Sequence, residues 1–185
     1  FTFNWDRYRY YSPDSFKAIN LVKLMGAAKF EIDAMDAYFD VTSRVNNPKI
    51  KSENAILIPS DFEFHMSDSS FLRVQPNNAH AYSLLMVYKG ENIKINGGNL
   101  IGDRWEHDYN PVVDLYGKTY YSHDWGHVTH VSGGKNILLE GINISNGSGD
   151  GFVVHGSTIR AEDGTPGKAI ISENVIVRNC TIDAS

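Results

Sequence analysis

Three segments of this chain repeat one another: ENIKINGGNLI from Glu91, KNILLEGINIS from Lys135 and ENVIVRNCTID from Glu173. Each carries an asparagine (Asn92, Asn136, Asn174), then an aliphatic residue (Ile93, Ile137, Val175) and a second two positions on (Ile95, Leu139, Val177). A third follows five positions later (Leu100, Ile144, Ile182). Alternation at period two marks strands, and a unit that recurs along the chain must bury its apolar face on its neighbours. The repeat therefore points to an all-β right-handed parallel β-helix, a solenoid of stacked coils. A β-sandwich would leave the agreement to chance. Asparagine at one fixed corner suggests a ladder of stacked amides, and Gly or Asn after the second strand supplies the next turn.

The asparagines lie 44 and 38 residues apart, so the coils carry unequal insertions, placed at 103–125 and 156–169. Upstream, "KFEID" and "FEFHM" also alternate as strands do. One helix is expected at 13–25. Ser12 suits its N-cap, Pro13 its first position and Asp14 its positive end; Phe16, Ile19, Val22 and Met25 recur at helical spacing, and Gly26 can close it. The chain reads as one domain, with 1–26 an N-terminal segment and capping helix and 27–185 the coils. By the repeat, the sequence stops inside a coil. An uncovered coil would expose unpaired backbone, so the solenoid is expected to be truncated at its C-terminal end and completed by further chain or by a homotrimer.

The stretch NGSGDGFVVHG, residues 146–156, combines a glycine-rich corner with a short apolar run. Counting back from the repeat asparagines aligns Ser83 with His127, Leu85 with Thr129 and Met86 with His130. One coil later Asp150 aligns with His127, Phe152 with Thr129 and Val153 with His130. In this register Phe152 and Val154 fill the coil, Val153 and His155 face out, and Gly149 and Gly151 make the corner. Stacked strands lie about 4.8 Å apart, so His127 and Asp150 could share a proton.

The run HDWGHVTHVSGGKNILLEGINISNGSGDGFVVHG with ENVIVRNCTID resembles right-handed parallel β-helix proteins of the pectate-lyase-like superfamily, over roughly residues 54–185. That group includes polysaccharide lyases, glycoside hydrolases, alginate epimerases and phage tailspike depolymerases. A helix capping the N-terminal end of the stack is usual in it. Alginate epimerases have a catalytic Gly-Phe-Asp-Pro-His element; here Gly151-Phe152-Val153-Val154-His155 keeps the histidine and has Val153 in place of the aspartate. Polygalacturonase-type hydrolases use clustered aspartates, of which only Asp150 stands in such a position.

His127, Asp150 and His155 are the catalytic candidates. β-Elimination from a uronate needs a base and a group that neutralises the adjacent carboxylate, whereas hydrolysis needs two carboxyls at a set separation. The insertion GDRWEHDYNPVVDLYGKTYYSHDWGH mixes charged and aromatic side chains, a combination suited to sugars. Its substrate-binding candidates are Arg104, Trp105, His107, Lys118, Tyr120, Tyr121 and Trp125, together with His130. Arg104 and Lys118 are the candidates for holding a carboxylate. Asp103, Glu106 and Asp108 could bind calcium (Ca2+). A zinc site from His123, His127 and His130 is disfavoured, because on a regular strand His127 and His130 face opposite ways. Ser83, His127 and Asp150 share one column, yet a nucleophile triad lacks an oxyanion loop there.

The expected function is carbohydrate-active: cleavage of an acidic polysaccharide, lyase ahead of hydrolase. The alternatives are a non-catalytic glycan-binding or phage receptor-binding module, and a plain structural solenoid. The net charge of −5 argues against a general nucleic-acid binder. No long apolar run speaks for membrane insertion. A secreted or extracellular setting is expected, with the periplasm or a virion surface as variants.

Overall fold

The computed structural model describes residues 2–3, 10–11, 17–42, 55–114, 117–160 and 166–183. The helix signals at Ser12, Pro13, Asp14 and Phe16 lie outside them, as does Tyr116 of the insertion.

The chain is built on three parallel sheets, visited in turn. Sheet I holds β1 (Thr2–Phe3), β3 (Lys29–Ile32), β6 (Phe62–Met66), β9 (Glu91–Asn96), β14 (Lys135–Glu140) and β19 (Glu173–Arg178), in that spatial order. Sheet II holds β2 (Tyr10–Tyr11), β4 (Met35–Phe39), β7 (Ser70–Val74), β10 (Asn99–Ile101), β15 (Asn143–Ser145) and β20 (Thr181–Asp183). Sheet III holds β5 (Ile56–Leu57), β8 (Ala81–Tyr88), β13 (Trp125–Ser132) and β16 (Phe152–His155). Each strand pairs in parallel with its counterpart one circuit earlier, as the spacing of the repeats requires.

The register is the one the repeats imply. Ile137 sits between Ile93 and Val175, and Leu139 between Ile95 and Val177. Ile144 sits between Leu100 and Ile182. In the first two circuits these residues are buried. Each contributes about 1.5–3 kcal/mol by leaving water. In the third, Val177 and Ile182 are 37% and 49% exposed. Among the described residues no further strand lies on β19 or β20 to cover them. Val154, expected to fill the interior, is exposed in the same way on the edge strand β16, while Phe152 packs against the core.

The asparagine ladder is present. Asn136 Nδ2 donates to Asn92 Oδ1 at 2.9 Å, and Asn174 Nδ2 donates to Asn136 Oδ1 at 3.0 Å. All three residues have left-handed backbone, with φ of 52–55°. Asparagine tolerates that region better than other side chains, which explains its recurrence. Asp61 extends the column: it has φ 53° and its carboxylate accepts from Asn92 Nδ2 at 2.8 Å. The turns after β9, β14 and β19 are left-handed too, at Gly97, Gly141 and Asn179.

Helix α1 (Lys17–Leu24) buries Ile19 and Val22 against the core, and Gly26, at φ 90°, ends it. Met25 is 64% exposed, contrary to the sequence reading. A three-residue repeat drifts around a 3.6-residue helix, and by Met25 the stripe has left the buried face. β1 and β2 precede the helix and pair with β3 and β4, so the chain enters the sheets before the helix forms. The two insertions each fold into an antiparallel hairpin: β11 (Val112–Val113) with β12 (Thr119–Tyr120), and β17 (Ser157–Arg160) with β18 (Pro166–Ile170).

Candidate functional site

Sheet III collects the site. β13 lies between β8 and β16, with His127 beside Ser83, Thr129 beside Leu85 and Phe152, and His130 beside Met86 and Val153. The strand is not regular. Val128 and Val131 both sit in the hydrophobic core although they are three residues apart, and the pairing of β13 with β8 passes over Val128 and Leu84. Strict alternation would send one of them outward. A slip between them returns both to the core and puts His127 and His130 on the same side. Their ring centroids are 5.3 Å apart, edge to face. The expectation of opposite faces is corrected on this point.

His155 joins from β16. Its Nε2 lies 2.6 Å from His130 Nε2, and its Nδ1 lies 2.5 Å from the Gly156 carbonyl. His130 Nδ1 lies 3.1 Å from Ser83 Oγ. Donor and acceptor chemistry orients the chain of bonds. A carbonyl only accepts, so His155 donates through Nδ1–H. With the rings neutral, His155 Nε2 is then an acceptor and His130 donates to it. His130 Nδ1 therefore accepts from the Ser83 hydroxyl. The sequence reading placed Ser83 with His127 and Asp150; the structure joins it to His130.

His127 stands beside this relay. Its side chain is 4% exposed and its Nδ1 is 3.6 Å from the Asp150 carboxylate, which is 65% exposed. That distance exceeds a hydrogen bond, and neither ring nitrogen of His127 has a hydrogen-bond partner. Trp125, 57% exposed, meets the His127 ring edge to face at 5.8 Å between centroids. Burial holds His127 below the ordinary imidazole value, with Asp150 pulling it up and His155 pushing it down. Burial, then His155 and His127, push His130 down to about 3.

The corner that carries Asp150 is tight for a reason different from the expected one. Neither Gly149 nor Gly151 is left-handed. A side chain on Gly149 would stand 2.2 Å from the Asp124 carbonyl oxygen, so glycine is required by close approach of two backbones.

A second cluster forms beneath the 103–125 insertion. Asp103 and His107 are fully buried, with His107 Nδ1 2.8 Å from the Asp103 carboxylate. His107 Nε2 lies 2.8 Å from His123 Nδ1, and His123 Nε2 lies 3.1 Å from the Asn110 carbonyl. Tyr82 donates its hydroxyl to Asp103 and sits 2.7 Å from Ser148 Oγ. The Asn77 amides donate to the same carboxylate at 2.9 and 3.2 Å. Burial and the Asp103 charge push the Tyr82 phenol up. Sequence reasoning missed Tyr82 and Asn77 as partners of this carboxylate, and Ser148 as a partner of Tyr82. The one visible signal was Gly126, which faces the Tyr82 ring and leaves room for it.

Several sequence candidates fall elsewhere than expected. His107 belongs to this interior network and has no face for a sugar. Asp103 spends its carboxylate on Tyr82, Asn77 and His107, Glu106 is exposed, and Asp108 accepts from Asn110 at 2.7 and 3.0 Å. The calcium trio is thus not assembled, and among the described residues no group of three or more His, Cys, Asp or Glu is placed to hold a metal ion. Tyr120 stacks on His80 at 3.6 Å and donates to Asp114, with Lys118 over its ring. Trp105 and Tyr121 are exposed, at 73% and 79%. Arg104 lies over Trp105 and reaches the Gly147 carbonyl at 3.5 Å, beside the Asp150 corner.

Two curated proteins of Bacillus subtilis (strain 168) resemble this chain. The SPbeta prophage-derived uncharacterized protein YorA is 34% identical over 176 residues, which is 94% of this chain and 27% of that protein. The uncharacterized protein YclG is 31% identical over 130 residues, 70% of this chain and 21% of that protein. The chain therefore spans about a quarter of the length of the relatives it matches. No family model and no solved structure matches it.

Proposed function

We propose that this chain is part of a parallel β-helix of the pectate-lyase-like kind, and that it cleaves an acidic polysaccharide by β-elimination. The observation that carries the reading is the His127–Asp150 pair beside an exposed Trp125, on β13 of sheet III and the corner that leads into β16. Three parallel sheets visited in turn, with stacked asparagines, are what a β-helix needs. His127 is held neutral by burial and has no hydrogen-bond partner to give up, so a ring lone pair is available to take a proton. The proton α to the uronate carboxylate passes to His127. A carbon–carbon double bond forms as the glycosidic C–O bond breaks, the leaving oxygen takes a proton from water, and Asp150 stabilises the imidazolium. His155 borders the same site. Arg104, beside the Asp150 corner, and Lys118 are the candidates for neutralising the substrate carboxylate, and Trp125 for stacking on a sugar face.

A glycoside hydrolase is the neighbouring reading, and a non-catalytic glycan-binding or phage receptor-binding module is the distinct one. Exposed Trp105, Tyr121 and Trp125 favour sugar contact under either. One relative is prophage-derived by name, which fits action outside the cell or on a virion surface. The open apolar residues of β19 and β20 fit completion of the stack by a further chain segment or a homotrimer.

The test exposes the longest available form of the protein to a panel of acidic and neutral polysaccharides. Ultraviolet absorbance of unsaturated uronates and reducing ends are followed in parallel. Rising absorbance that His127→Ala and Asp150→Ala abolish supports the lyase. Reducing ends without absorbance replace it with a hydrolase. Neither signal, with sugar binding retained, overturns the enzyme and leaves the binding module.

A further inference from the structure

The relay from Ser83 through His130 to His155 has no part in uronate cleavage. We propose that Ser83 is a nucleophile for removing small ester-linked acyl groups, of acetyl size, from a sugar, with His130 as its base and His155 as the residue that positions His130. Three features carry this. The Ser83 hydroxyl donates to His130 Nδ1 at 3.1 Å. His130 is held in the required tautomer by donating its other nitrogen to His155, which is itself fixed by the Gly156 carbonyl. Finally, His127 pairs with Ser83 across the two strands, and as a neutral imidazole it has an N–H with no acceptor. That N–H supplies the donor for an oxyanion that the sequence alone did not offer.

The residue Ser83 is only 7% exposed, so the acyl group must be small. In the reaction Ser83 Oγ attacks the acetyl carbonyl carbon and its proton moves to His130. The tetrahedral adduct collapses, the ester C–O bond breaks, and the sugar oxygen leaves with that proton. Water then attacks the acetyl-serine through the same base, releasing acetate and restoring Ser83. Burial, with His155 and His127, keeps His130 neutral when the attack begins.

The experiment treats the protein with methanesulfonyl fluoride, maps any adduct by mass spectrometry, and follows hydrolysis of p-nitrophenyl acetate and p-nitrophenyl octanoate. The expected result is an adduct on Ser83 and hydrolysis of the acetate alone. Ser83→Ala should lose both, and His130→Gln should slow hydrolysis about 100-fold. His155→Gln, which keeps an acceptor for His130, should retain more activity than His155→Leu, which fills similar space without one, a difference that loss of packing alone would not produce. Circular dichroism checks that each variant folds. Hydrolysis unchanged in Ser83→Ala, or an adduct confined to other residues, overturns the proposal. Neither outcome touches the uronate reading, whose absorbance signal is independent.

Discussion

His130 and His155 face each other across β13 and β16 with their Nε2 atoms 2.6 Å apart, and a single hydrogen must serve both. Adding a proton to His155 removes the acceptor, and adding one to His130 places a charge among His127, His155 and buried apolar surface. The pH dependence follows from the direction of the shifts. His127 and His130 are depressed in the folded protein, His130 to about 3, against an unfolded value of about 6.5. Below pH 6.5 the unfolded chain binds protons that the folded chain refuses. Stability is therefore unaffected above 6.5 and declines as pH falls towards 3. Asp150 faces His127 and works against the decline. Urea midpoints at pH 7.5 and 4.5 should differ more for the native chain than for His130→Gln; an identical difference in the two would remove His130 as its source.

The asparagine column makes a sharper test of the backbone. Asn136 is left-handed and bonded on both sides, to Asn92 and Asn174. Asn136→Ala should cost about 2 kcal/mol, roughly half from a left-handed Cβ and half from two exposed amide bonds. Asn136→Gly keeps the backbone freedom and should recover about 1 kcal/mol of it. Equal urea midpoints for the two variants would mean that the amides alone matter.

That column was legible in the sequence because left-handed backbone selects a residue type, and a stacked fold repeats the selection at fixed spacing. The register of Ser83, His127 and Phe152 was legible for the same reason: aliphatic alternation fixes which residue meets which. The orientation of His130 was not. It depends on the slip between Val128 and Val131, which alternation cannot show because both valines are simply apolar. The contacts of Asp103 with Tyr82, and of Tyr82 with Ser148, were hidden as well. They join residues 21 and 66 positions apart through the path of a loop, and no periodicity governs that path.

Close approach at the Asp150 corner predicts a local defect. Gly149→Ala sets a methyl 2.2 Å from the Asp124 oxygen, so the corner must shift. Overpacking of this kind costs about 1–3 kcal/mol. The larger effect should be on the site, because the corner positions Asp150 beside His127. If the chain cleaves uronate as proposed, product release should fall more than stability does, and fall with kcat rather than KM. An unchanged kcat would separate the corner from the chemistry.

The buried Asp103 network predicts a charge at its centre. His107 Nδ1 needs a hydrogen to meet Asp103, and His123 Nε2 needs one to meet the Asn110 carbonyl. The bond between the two rings needs a third. Three hydrogens on two imidazoles make one positive charge, set against the Asp103 carboxylate. Asp103→Asn removes the counter-charge and faces an amide hydrogen towards other donors, so it should cost about 3 kcal/mol. Tyr82→Phe removes one of several donors to the carboxylate and should cost about 1–2 kcal/mol. The comparison is made by urea unfolding at pH 7. If the two variants lose the same small amount, the histidine pair carries no charge, and the network is a set of ordinary neutral bonds that ties the insertion to β8.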